Sequence, residues 1–246
     1  MNTNNTIILD LTEILPQGAT PPDSSWKLKA LQSEQCVSYI AWNEKTKEAI
    51  LVDAKVEDEG AYLKTATTLC DYHWLGVIDT HTHADHVSCA AKMAVTLQTP
   101  LIMHEKSPTR RAHIRVSQIT ALYSQAAPLK FLPTPGHTPD SLTLLWGPFL
   151  FGGDTLMIGD TGRDDLPGGS PEDHYDSLEL IKKYAQPEQW VLPGHVSGKL
   201  KTATWASQLK DNPSLMQSRE DFVRESSAFD APAPLLLKKS LRENFK

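Results

Sequence analysis

His81-Thr-His-Ala-Asp-His86 gathers three histidines and a carboxylate into six residues, and only Thr80 separates it from Trp74-Leu-Gly-Val-Ile-Asp79, a short apolar run of buried-strand type. In an extended segment residues i and i+2 point the same way. His81 and His83 can therefore aim at one point, while Asp85 and His86 reach an adjacent one after the chain turns. Imidazole and carboxylate donors together suit zinc, iron or manganese. A loop beyond the carboxyl end of a strand is also where α/β sheets place their ligand sites. The stretch reads as part of a metal centre on an α/β scaffold.

Three further residues extend it. His137 lies in Pro135-Gly-His-Thr-Pro139, Asp154 ends Phe149-Leu-Phe-Gly-Gly-Asp154, and His195 follows Trp190-Val-Leu-Pro-Gly194. Taken singly, these are a turn histidine, a helix cap and a structural histidine. Taken together, each follows glycine at the end of a β-type run, and with the first cluster they supply ligands for two neighbouring metal positions. Such a set supports two chemistries. Two metals on a shared carboxylate generate a bridging hydroxide, whereas one Fe(II) on two histidines and a carboxylate keeps three positions open for a substrate sulfur and dioxygen. Ligand types alone do not choose between them.

Around these motifs β-rich runs alternate with helical stretches, the pattern of an α/β protein. Val37–Trp42 and Glu48–Asp53 flank a polar turn as an antiparallel hairpin, and a helix is expected from Asp58 to about Tyr72. Leu101–His104 reads as a strand and residues 110–123 as a helix-compatible stretch. Leu142–Trp146 and Phe149–Phe151 form a second hairpin across Gly147-Pro148. Ser170-Pro-Glu-Asp173 starts a helix that runs to about Ala185, with serine as cap, proline at the first position and acids in the first turn. The last fifty or so residues read as helical and then irregular. Residues 1–25, polar and ending in Ala19-Thr-Pro-Pro-Asp-Ser-Ser25, read as an N-terminal arm, leaving one domain over 26–246.

Composition narrows the partners. With 246 residues, 40% hydrophobic and 22% charged, the chain fits a single large α/β domain. A net charge of -6 argues against nucleic acid. No apolar run approaches the length of a membrane span, and the first ten residues lack a signal peptide's basic and apolar regions, so a soluble cytoplasmic protein is expected. Cys36, Cys70 and Cys89 are odd in number with no Cys-x-x-Cys, which favours reduced thiols and excludes a zinc-ribbon type of centre. Cys89, three residues after His86, reads as a buried inert thiol. His73, His104, His113 and His174 read as ordinary polar residues, and the six tryptophans as packing groups.

The motifs His81-Thr-His-Ala-Asp-His86, Pro135-Gly-His-Thr-Pro139, Gly153-Asp154 and Gly194-His195 resemble those of the metallo-β-lactamase superfamily, which implies its αββα four-layer sandwich. Within it, Thr82-His-Ala-Asp-His86, the Gly162-Arg163-x-Asp165 element and the tail Asn212–Leu215 through Ser218–Val223 are similar to the persulfide dioxygenases, the ethylmalonic encephalopathy protein-like sulfur dioxygenases. That resemblance implies one Fe(II) per chain on His81, His137 and Asp154, and oxidation of a glutathione-type persulfide to sulfite with dioxygen. His83, Asp85, His86 and His195 would then surround a second metal position or support the first. It also implies that Arg163, and Asn244 in the tail, belong to the substrate pocket; the alternative for Arg163 is an ion pair with Asp164 or Asp165. Two departures concern that pocket: Thr161 stands where the family usually has cysteine, and Ser197 where it usually has tyrosine. No nucleic acid or membrane is expected as a partner, and a homodimer stays open.

The runner-up is a binuclear thioester hydrolase resembling glyoxalase II, holding zinc or a mixed metal pair, since all seven ligands are present. Against it, the fifty or so residues beyond His195 are short for that family's extra glutathione-binding domain. A third reading, an inactive metal-binding module, is permitted by Thr161 and Ser197 and opposed by the intact ligand set.

Overall fold

In the computed structural model, which describes residues 6–17, 19, 23–229 and 232–246, apolar side chains on both faces of the strands create two sheets with three apolar layers. The first sheet runs β1 (Ile7–Asp10), β2 (Trp26–Ser33), β3 (Cys36–Asn43), β4 (Glu48–Val52), β5 (His73–Ile78), β6 (Leu101–His104), β7 (Ile114–Val116), in that spatial order. Its first four strands are antiparallel neighbours, and from β4 onward the pairing is parallel. The second sheet holds β8 (Thr120–Leu122), β9 (Leu129–Pro133), β10 (Leu142–Trp146), β11 (Phe149–Gly153), β12 (Trp190–Pro193) and β13 (Ala203–Thr204), again side by side in sequence order.

Strand alternation explains the layering. Tyr39, Ala41, Ile50, Val52 and Ile78 of the first sheet meet Leu144, Trp146, Phe149, Phe151 and Leu192 of the second, forming the core between the sheets. Ile40, Ala49, Leu51 and Val77 face the other way, onto Tyr62 of α2 (Glu59–Thr68) and Met93 of α3 (Ala90–Thr96). Leu145, Leu150 and Val191 do the same on the second sheet, against Leu178 and Ile181 of α4 (Pro171–Tyr184), Trp205 of α5 (Trp205–Asp211), Leu215 of α6 (Pro213–Met216) and Phe222 of α7 (Arg219–Ser227). The order helix, sheet, sheet, helix is the expected four-layer sandwich. Burying a side chain such as Trp146 or Phe151 stabilises it by about 1.5–3 kcal/mol.

Both hairpins, the strand before His81 and the start of α4 lie where the sequence places them, with Ser170 Oγ accepting from Asp173 N. Three expectations are corrected. Residues 110–123 carry β7 and β8 rather than a helix, because the β-branched Ile114, Val116 and Thr120 find sheet partners in Ile102, His104 and Phe131. The N-terminal arm is partly built into the domain: β1 pairs with β2, and Leu9, Leu11 and Ile14 of β1 and the short α1 (Leu11–Ile14) are buried. Residues 1–5, 18 and 20–22 of that arm lie outside the described residues. The tail ends in a further helix, α8 (Leu237–Asn244), rather than irregular chain.

Candidate metal centre

Every singled-out histidine and aspartate emerges where a strand stops, and the two sheets bring these ends together. Leu142 N donates to Thr80 O at 2.7 Å, and Gly194 N to Gly153 O at 2.8 Å. Two glycines make the approach feasible. Gly153 has φ +52°, and a Cβ there would fall 2.7 Å from Thr80 Oγ1. A Cβ on Gly194 would fall 2.4 Å from Asp154 Oδ1. A side chain would displace Thr80 in the first case and Asp154 in the second.

His81, His137 and Asp154 form one buried group whose donor atoms lie within 4.8 Å of one another. His137 Nε2 is 3.4 Å and His81 Nε2 3.9 Å from Asp154 Oδ2. Ligands bonded to one metal at about 2.0–2.2 Å sit about 3–3.5 Å apart, so the spacing and the two-nitrogen, one-oxygen donor set fit a divalent ion. The ring orientations are held from behind. Thr80 donates its hydroxyl to Asp53 Oδ2 at 2.9 Å, which leaves its oxygen to accept from His81 Nδ1 at 3.0 Å. His137 Nδ1 donates to the Arg163 carbonyl. Both rings therefore present Nε2 as the free lone pair. Burial, reinforced by the neighbouring His83, pushes His81 well below the ordinary imidazole value and keeps it neutral, as a ligand must be. Burial alone would raise the Asp154 carboxyl, but His195, His137 and His81 together hold it far below the usual carboxylate range.

His83 does not join that group. Its Nε2 sits 3.3 Å from Asp53 Oδ1 and 3.8 Å from Asp79 Oδ1, and these three residues form a separate buried set. Burial opposes a charge on this ring, yet the two carboxylates prevail and raise His83 well above its ordinary value. Asp85, His86 and His195 make a second cluster. His195 Nδ1 is 2.8 Å from Asp154 Oδ1, its Nε2 is 2.8 Å from Asp85 Oδ2, and Asp85 Oδ1 is 3.2 Å from His86 Nδ1.

A cleft of about 750 Å³ opens over His81, Asp85, His137, Asp154 and His195. Arg163 lines it and also makes a two-point ion pair with Asp165, both contacts at 2.6 Å, while donating to Pro232 O at 2.8 Å. Its guanidinium lies 5.5 Å from the Phe229 ring centre. Asp164 is instead buried against His174 and Ser226. Thr161 and Ser197 both line this cleft, so the two departures fall on its walls. Asn244 does not line it. From the end of α8 it donates to His83 O and His86 O, both at 2.9 Å, and accepts from Ser88 N at 2.9 Å, bracing the ligand loop from behind.

Sequence reasoning missed Asp53, Asp79, Cys36 and the cleft lysines Lys199 and Lys201. Asp53 had one signal, its place at the end of a strand next to the histidine strand. His174, read as an ordinary polar residue, is a fully buried structural histidine bonded to Asp164 and Thr155 O. Cys89 is the buried thiol expected, donating to Lys55 O at 3.2 Å. Among the described residues no helix is long and apolar enough to cross a membrane.

The architecture is that of the metallo-β-lactamase fold, this array of strand-end ligands is similar to that of its members, and the family model for the metallo-beta-lactamase superfamily matches residues 118–195. The relatives include persulfide dioxygenases. The mitochondrial persulfide dioxygenase ETHE1 of Bos taurus is 25% identical over 200 residues, covering 80% of this chain and 78% of the relative. The crystal structure of ETHE1 from Myxococcus xanthus superposes with a TM-score of 0.78 at 28% identity, covering 86% of this chain and 93% of that one. Hydrolases are present too. The probable polyketide biosynthesis zinc-dependent hydrolase PksB of Bacillus subtilis is 29% identical over 168 residues, covering 65% of this chain and 73% of the relative.

Proposed function

We propose that the chain is an Fe(II)-dependent dioxygenase that oxidises a low-molecular-weight persulfide of glutathione type to sulfite. The observation that carries the reading is the partition of the histidines: His81, His137 and Asp154 face one point, while His83 is drawn off by Asp53 and Asp79. A three-residue set of two histidines and a carboxylate keeps three coordination positions for small ligands. Likeness to the two ETHE1 proteins supports the same choice.

The overall change is R–S–SH + O2 + H2O giving R–SH, sulfite and two protons. Iron bound there would supply Lewis acidity toward the terminal sulfur and electrons toward dioxygen. The chain does the rest. His81 and His137, fixed through their Nδ1 hydrogen bonds, keep Nε2 aimed at the metal. The cleft walls hold the thiol carrier, with Arg163, Lys199 and Lys201 offering positive charge to its carboxylates. Holding the terminal sulfur beside dioxygen in the cleft would be the main rate contribution, so no side-chain base would be required.

The hydrolase reading retains one observation in its favour, the intact Asp85, His86 and His195 cluster with its link to Asp154. Anaerobic purification, metal analysis and an oxygen electrode separate the two. We expect about one iron per chain and oxygen uptake on glutathione persulfide, both abolished in His137→Ala. Two tightly bound zinc ions, thioester turnover, and no oxygen uptake after iron loading would reverse the assignment.

A further inference from the structure

Leu235-Leu-Leu-Lys-Lys-Ser-Leu-Arg-Glu-Asn-Phe-Lys246 holds four cations and one anion, in a chain whose net charge is -6. The tail is the basic end of an acidic molecule. Its helix, α8, packs through one face: Ser240 is fully buried, Leu237 and Leu241 are half-buried, and Asn244 bonds the ligand loop. Lys238, Lys239 and Arg242 are exposed. Among the described residues Lys238 and Lys239 have no ion pair, while Arg242 and Lys246 share Glu243 at 3.2 and 2.6 Å. Large apolar side chains flank these cations in the open. Leu235 is 103% and Leu236 43% exposed just before the helix, and Phe245 is 47% exposed just after it. Leu235 directly follows Pro234, which with Pro232 lines the metal-site cleft, and the same cleft carries the exposed Lys199 and Lys201.

We propose that α8 and the leucines before it form a peripheral docking site for an anionic lipid bilayer. Exposed apolar side chains enter the boundary of the acyl chains while lysine and arginine meet the lipid phosphates, which is how a basic amphipathic helix lies on a membrane. No span is needed, so the expectation of no membrane partner, which rests on the lack of a long apolar run, does not extend to this mode. Charge complementarity selects the occupant. A second copy docked about a two-fold axis would set Lys238, Lys239 and Arg242 against themselves. On a bilayer the acidic remainder of the chain points away from the lipid, and beyond a Debye length of about 8–10 Å its repulsion is screened. Because Leu235 leads straight into Pro234, docking brings the wall of the cleft close to the lipid surface. The proposal is independent of which reaction the metal centre performs.

Co-sedimentation of the full chain with vesicles tests it, using phosphatidylcholine alone and phosphatidylcholine mixed with phosphatidylglycerol. At about 0.1 M salt the protein should pellet with the mixed vesicles and stay in solution with the neutral ones, and about 1 M salt should release most of it. The double variant Lys238→Glu, Lys239→Glu should bind about tenfold or more weakly. Leu235→Ser with Leu236→Ser should also weaken binding, and both variants should keep the wild-type metal content and thermal unfolding. Wild-type protein that ignores the anionic vesicles, pellets equally with both kinds or binds regardless of salt would overturn the proposal, as would folded variants that bind like wild type. Absence of lipid binding together with a dimer that the serine variant dissociates would assign this face to a second copy, and binding to polyglutamate but not to vesicles would assign it to an acidic protein. The wild-type vesicle result decides even where a variant does not fold.

Discussion

Thr80 Oγ1 stands between Asp53 and His81, at 2.9 and 3.0 Å, so the aim of the first ligand histidine depends on one hydroxyl. Replacing Thr80 by Val keeps the shape and removes the acceptor, leaving His81 Nδ1 and one Asp53 oxygen unsatisfied in a buried setting. Metal affinity should fall about 10–100-fold, measured by competition with a chromogenic chelator, while Thr80→Ser should stay close to wild type. At this scale the ligands themselves were legible in the sequence, because each follows a β-type run. What was not legible is which of them share a metal. His83 occupies the same i, i+2 relation to His81 that suggests joint coordination, yet its Nε2 lies 3.3 Å from Asp53, thirty residues earlier. Arg163 illustrates the same limit: its ion pair is local and readable, whereas its contacts with Pro232 and Phe229 arise from the tail folding over the cleft.

Among the elements, β4 does two jobs. Its far end delivers Asp53 to the site, and its first residue, Glu48, joins the first sheet to the loop between β8 and β9. The Glu48 carboxylate accepts from Gln125 N, Ala126 N and Ser124 Oγ, each at 2.9 Å, and from Thr46 Oγ1. Burial would raise this group, but the donors from Gln125 and Ala126 prevail and lower it from its ordinary 4.5. A group lowered in the folded state stabilises fully above its unfolded value and loses that contribution as pH falls through the folded one. Urea unfolding should therefore show wild-type stability declining below about pH 4.5. Glu48→Gln should cost about 1–3 kcal/mol at pH 7 and narrow the gap from wild type in acid. Elements with strong local signals were readable, such as α4 with its Ser170 cap and the two hairpins. The stretch around β7 and β8 was not: its three-residue strands are too short to show period-two alternation.

For the molecule as a whole, the metal centre is a property of the packed sandwich. The first sheet contributes His81, His83, Asp85 and His86, the second His137, Asp154 and His195, and α8 braces the His83–His86 loop through Asn244. Layer order and ligand identity follow from alternation and motif spacing. The division of seven ligands into a three-residue centre, a histidine set apart, and the Asp85, His86 and His195 cluster follows only from the two sheets meeting. That division is the central claim, and anomalous diffraction at the iron edge from crystals of the iron-loaded protein tests it most directly. The account predicts a single iron peak within bonding distance of His81 Nε2, His137 Nε2 and Asp154, with the His83 ring still against Asp53 and Asp79. An iron peak bonded to His83, or one centred among Asp85, His86 and His195, would contradict it.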